Sequence, residues 1–80
     1  MSGEQKRKFG HRWYRLISAD EVGPGDYIEI YDRGRRWRRV ASATKRYIRT
    51  RPYKYNGILV YGSKRVAKAT ILTAWTKRKP

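Results

Sequence analysis

The sequence predicts an all-β domain: a small barrel of five or six short strands, carried between flexible basic N- and C-terminal tails. Three observations predict it. Short runs such as YIEIY (27–31) and KRYIRT (45–50) alternate apolar and polar residues at the two-residue period of a strand. Turn signals, GPGD (23–26), DRGR (32–35) and GSK (62–64), separate those runs at the spacing of a small barrel or sandwich. No segment pairs a basic face with a sustained apolar face at helical spacing, which also argues against a membrane-surface helix.

Residues 1–11 read as a flexible basic arm, with Lys6, Arg7 and Lys8 in a polar, glycine-containing context. The domain proper is expected over 12–75, followed by a basic tail at 76–80 that carries Lys77, Arg78 and Lys79. WYRLIS (13–18) is aromatic and β-branched enough for a first strand. ADEV (19–22) fits a single helical turn capped by Ser18, with Glu21 at the third helical position. In YIEIY, Ile28 and Ile30 point inward and Tyr27, Glu29 and Tyr31 outward. DRGR is a hairpin tip in which Gly34 takes a positive φ.

The return strand, RWRRVASA (36–43), has an awkward phase. Trp37 and Val40 are three apart, so they face opposite sides unless a bulge intervenes. A bulge near Arg38 brings Trp37 inward; without one, Trp37 and Arg39 stand outside beside Tyr27 and Tyr31. KRYIRT places Ile48 on one face and Tyr47 and Arg49 on the other, and RPYKYNG (51–57) reads as a loop carrying two tyrosines. ILVY (58–61) is a further strand. VAKATILTAW (66–75) has helix-favouring alanines, but Val66, Thr70, Ile71 and Thr73 favour a strand broken in its middle.

The segment V-x-P-G-D-x-I-x-I, followed by a glycine turn and a W-x-x-V return strand, resembles the opening hairpin of SH3-like small barrels, including those with KOW-type motifs. Val22, Pro24, Gly25, Asp26, Ile28, Ile30, Gly34 and Val40 carry the match. The resemblance implies a barrel. It does not imply a ribosomal or elongation-factor role, because Trp37 stands near the place of the second glycine of a KOW hairpin.

Composition narrows the function. With 80 residues the chain makes at most one domain. It has no cysteine for disulfides or thiolate metal sites, and His11 is its one imidazole. Leu, Ile, Val and Phe number only 14, a fraction low enough to suggest disorder, but seven Tyr and three Trp supply the missing buried area. The formal charge is +15, and all six acids lie at or before Asp32. Sixteen basic residues follow with no acid among them, so their repulsion is relieved by counterions or by an anionic ligand. Arginine outnumbers lysine thirteen to eight, which favours forked contacts to phosphate and stacking on rings.

These features point to a non-catalytic nucleic-acid-binding protein, acting on DNA or RNA. The candidate contacts are Arg33, Arg35, Arg36, Trp37, Arg38 and Arg39, continued by Lys45, Arg46, Tyr47, Arg49, Arg51, Tyr53, Lys54 and Tyr55. Basic groups neutralise phosphates and rings stack on unpaired bases. The bland reading of the same residues is a charged strand edge guarded against aggregation. An alternative function is an interaction protein of viral or mobile-element type, whose basic surface docks on an acidic host protein through Trp, Tyr and Arg.

Catalysis finds no support. His11 has no nucleophile constellation around it, and the acids fit turn and capping positions better than a Mg²⁺ site. GSK lacks P-loop spacing and GPGDYI lacks the third glycine of a dinucleotide fingerprint. No cofactor, metal or small-molecule substrate is therefore expected. Nor is a membrane partner, since no apolar run is long enough to span a bilayer and the N-terminus lacks the apolar stretch of a signal peptide. The expected location is cytoplasmic or nucleoid-associated.

Overall fold

The computed structural model describes residues 5–79. It contains nine strands: β1 (Lys6–Phe9), β2 (Arg12–Ile17), β3 (Tyr27–Tyr31), β4 (Arg35–Ala43), β5 (Tyr47–Thr50), β6 (Tyr53–Tyr55), β7 (Ile58–Tyr61), β8 (Arg65–Ala67) and β9 (Thr73–Thr76). Seven form one antiparallel sheet in the order β1-β2-β9-β3-β4-β5-β8, and β6 and β7 pair only with each other. The domain is all-β, with more strands than the five or six expected.

Local chemistry sets the punctuation. Ser18 Oγ accepts from Asp20 N at 3.1 Å and Glu21 Oε1 from Ser18 N at 3.2 Å, so the predicted capped turn forms over Ala19–Glu21 as a 3-10 turn. Gly25 adopts φ +89° in the GPGD turn, a value that a side chain would disfavour. The segment from 65 to 76 is broken as expected: β8, a 3-10 turn over Lys68–Thr70, then β9.

One face of the sheet carries the aliphatic core, Ile17, Val22, Ile28, Ile30, Val40, Ile48, Val66 and Ala74. Strand β4 makes it possible. Its register against β5 shifts between Val40 and Ser42, and this irregularity turns the sheet so that Ile48 and Val66 join Ile28 and Val40. Each buried Ile or Val contributes about 1.5–3 kcal/mol, so eight small side chains make a thin core for a domain of this size.

The other face carries a second layer, made of rings. Phe9 stacks on Tyr27 with centroids 4.4 Å apart and meets Tyr14 at 5.1 Å and Trp37 at 5.2 Å edge-on, with Trp75 at 6.4 Å. Tyr14 and Trp75 are buried. This layer corrects several expectations. Lys6–Phe9, assigned to a flexible arm, forms β1 in register with β2, because Phe9 has an aromatic surface to cover. The first four residues of that arm lie outside the described residues. Glu29, expected outside, is buried beneath the same cover and accepts from Thr73 Oγ1 at 2.9 Å.

Trp37 takes the facing expected without a bulge, but not the expected exposure. The β3–β4 ladder runs without a shift from Tyr27↔Arg39 to Tyr31↔Arg35, so no bulge turns Trp37 towards Val40. It faces the side of Tyr27 and Glu29, yet that side is covered and the ring is half-buried. The tail is also fastened. Thr76 is fully buried in β9, and Arg78 reaches back to Asp26 at 2.8 Å and to the carbonyl of Glu21 at 2.7 Å. Pro80 lies outside the described residues.

Candidate nucleic-acid interface

The arginine cluster begins at the β3–β4 hairpin tip. Arg33 and Gly34 both take positive φ, +59° and +110°. Arg36 closes the turn by donating from Nη2 to the carbonyl of Arg33 at 2.9 Å and from Nη1 to that of Arg35 at 3.3 Å. A side chain at Gly34 would approach that same guanidinium to 3.3 Å. Arg33, Arg35 and Arg36 are exposed. Arg35 lies 3.8 Å from Glu29, and Lys64 lies 3.6 Å from Asp32.

Further along β4 the arginines lean on rings instead of water. The guanidinium of Arg38 sits 3.8 Å from the centroid of Tyr61 and donates to the carbonyl of Trp37 at 2.9 Å. Arg39 lies 5.7 Å over Tyr27, and Arg7, from β1, covers Trp37 at 4.5 Å. Cations over ring faces gain about 0.5–2 kcal/mol each, depending on solvent access. Trp37 is therefore half-buried and already engaged by Arg7 and Phe9, not a bare stacking platform.

Next to the edge strand β8, Tyr47 and Arg49 project outward from β5 as the alternation predicts. Arg65 of β8 stacks over Tyr47 at 4.5 Å, and Arg49 reaches Ser63 at 3.5 Å. Lys45 and Arg46 line a shallow hollow with Asp20 and Lys68. These cations form a band separate from the hairpin tip.

RPYKYNG is not a loop. Tyr53–Tyr55 and Ile58–Tyr61 pair across Asn56 and Gly57, whose φ values of +51° and +79° are those of a two-residue hairpin turn. Tyr53 and Tyr61 stack at 5.5 Å. The ribbon exposes Ile58 (69%), Leu59 (55%) and Val60 (57%) in sequence, so apolar groups face outward on both of its sides. Lys54 and Tyr55 lie exposed next to its turn.

Between ribbon and sheet lies a cleft of about 370 Å³ lined by Tyr27, Trp37, Arg39, Arg51, Pro52, Tyr53 and Tyr61. The amide of Arg51 donates to the carbonyl of Arg39 at 2.8 Å, which fixes the two guanidinium-bearing residues side by side. Arg39 Nε is buried with no hydrogen-bond partner among the described residues. No carboxylate lines the cleft.

Compared with protein-family models, curated proteins and solved structures, the chain matches none.

The fourteen residues singled out from sequence thus divide. Trp37, Arg39, Arg51 and Tyr53 meet at the cleft, while Arg38 packs beside it on Tyr61. Arg33, Arg35 and Arg36 form the hairpin tip; Tyr47 and Arg49 belong to β5 and Lys45 and Arg46 to the turn before it; Lys54 and Tyr55 sit on the ribbon. Lys64 and Arg65 are not singled out by the sequence, which places Arg7 in the basic arm and Tyr27 and Tyr61 in strands. Arg65 was readable from the alternation Arg65-Val66-Ala67, which turns it outward whenever Val66 turns in. The acids weighed as metal ligands are dispersed: Asp26 binds Thr76 and Arg78 on one face, and Glu29 binds Thr73 on the other.

Proposed function

We propose that the protein binds nucleic acid without catalysis, holding it mainly by phosphate contacts with weak sequence selectivity. The observation that carries this reading is the state of the cations after Asp32. Among the described residues, only Arg35, Lys64 and Arg78 lie within ion-pair distance of a carboxylate. Most of the remainder sit on the hairpin tip, on the β5–β8 side of the sheet and at the cleft, with tyrosines among them. Unpaired guanidinium groups beside aromatic faces are the chemistry that neutralises phosphate and stacks on bases. Asp26 and Glu29 are buried, so the exposed surface is more cationic than the total charge implies. The turned sheet around one aliphatic core is consistent with an SH3-like barrel, the architecture we assign it. A cytoplasmic or nucleoid-associated location fits such a ligand. None of the helical segments among the described residues is long and apolar enough to cross a membrane.

Fluorescence-anisotropy titration with duplex DNA, single-stranded DNA and RNA tests the reading at about 50 and 200 mM salt, a range over which phosphate-driven affinity falls by orders of magnitude. Tight binding that weakens steeply is the expected result; absence of binding to all three at low salt refutes it.

A second reading draws on the ribbon. Ile58, Leu59 and Val60 could anchor an acidic protein partner, as expected of an interaction protein of viral or mobile-element type. Affinity that is insensitive to salt and lost on replacing these three residues would favour it.

A further inference from the structure

The geometry points to a site for one unpaired nucleotide in the cleft between ribbon and sheet, its phosphate on Arg39 and Arg51 and its base against Tyr53. This deepens the proposed function and rests on it, since it requires that the polyanion be a nucleic acid or its monomer.

Three features of the cleft converge. Its volume, about 370 Å³, falls within the range of small-ligand sites and matches one nucleotide better than a continuous strand. Its polar lining is one-signed: two guanidinium groups and no carboxylate. A buried donor without an acceptor carries a desolvation penalty, and Arg39 Nε is such a donor. A phosphate oxygen supplies the acceptor and the countercharge together, in the forked geometry that arginine favours.

The walls select what is attached to that phosphate. Tyr27 and Trp37 are already engaged by Phe9, Arg7 and Arg39, so they make a rigid backing. Tyr53 differs. It is 45% exposed and stacked on Tyr61 alone among the rings, so it can accept a second planar group. A base able to enter here cannot remain paired in a duplex. The site therefore takes single-stranded DNA or RNA, or a free nucleotide.

An abasic strand of equal length separates base from phosphate. The intact single strand should bind roughly five- to a hundredfold tighter than the abasic strand, the contribution of one stacked base. Tyr53→Ala should erase that difference while leaving abasic binding and the melting temperature unchanged. Arg51→Gln should weaken both strands. A nucleoside monophosphate that quenches tryptophan fluorescence in the wild type but not in Tyr53→Ala would identify the free nucleotide as sufficient. Equal binding of intact and abasic strands overturns the site while leaving phosphate-driven binding in place. Binding of poly-glutamate but of no strand overturns both, in favour of an acidic protein.

Discussion

Phe9 lies face to face on Tyr27, with ring centroids 4.4 Å apart and planes 4° from parallel. This single stack couples the N-terminal hairpin to the strand that bears the aliphatic core. Phe9→Ala should destabilise the fold by about 2–4 kcal/mol, combining lost burial with the lost ring pair. Chemical denaturation measures it. A change below about 0.5 kcal/mol, the range of an ordinary surface substitution, would mean that β1 contributes nothing to stability.

Asp26 fastens the C-terminal segment to the GPGD turn. It is 2% exposed and accepts from Thr76 Oγ1 at 2.7 Å, from Gly23 N at 2.9 Å and from Arg78 at 2.8 Å. Asp26→Ala leaves a buried hydroxyl and a turn amide unsatisfied, for an expected loss of about 2–4 kcal/mol. The Arg78 side chain is 56% exposed, so Arg78→Ala should cost less, about 0.5–1.5 kcal/mol. Thermal unfolding of the two variants should rank them in that order.

The exposed cations can be removed without touching either layer. Arg33, Arg49 and Arg65 replaced together by Gln should leave the melting temperature in place and reduce the duplex salt slope by about 2.7, given roughly 0.9 per phosphate contact. The half-buried Arg38 and Arg39 are different, because their guanidinium groups lie over Tyr61 and Tyr27, and replacing them should lower stability as well as affinity. An unchanged slope in the triple variant would move the phosphate surface away from these strands.

The ribbon gives a fourth test. Leu59→Lys with Val60→Lys should change stability by no more than about 0.5 kcal/mol, since neither side chain reaches the core. Calorimetric unfolding checks this. Substantial loss of stability would show that Leu59 and Val60 themselves pack on the sheet.

Much of the fold was legible because it obeys local rules. Ile28, Ile30 and Ile48 point inward as their alternation demands, and Ser18 and Glu21 cap the turn that their spacing announces. The misses share a physical origin. Alternation tells which residues lie on one face of a strand, but not whether that face meets water; Glu29 and Trp37 faced a side that Phe9 closes. Phe9 itself was hidden by its neighbours Lys6, Arg7 and Lys8, whose charge resembles that of a tail. Asn56-Gly57 is a hairpin signal in its own right and was masked by the tyrosines read as a loop. The arginines were visible as a cluster; their partners, Tyr61 and Tyr27, required tertiary structure.

The place of β9 has a kinetic consequence. The last strand of the chain inserts between β2 and β3, so neither of those strands is completed until residues 73–76 are available. Pairings this distant in sequence are slow to form, since the chain must close long loops before it gains contacts. During synthesis the sheet cannot be finished vectorially: the arginine-rich middle leaves the ribosome before the strand that organises it. A nascent chain of this kind carries its arginines unfolded until residues 73–76 close the sheet.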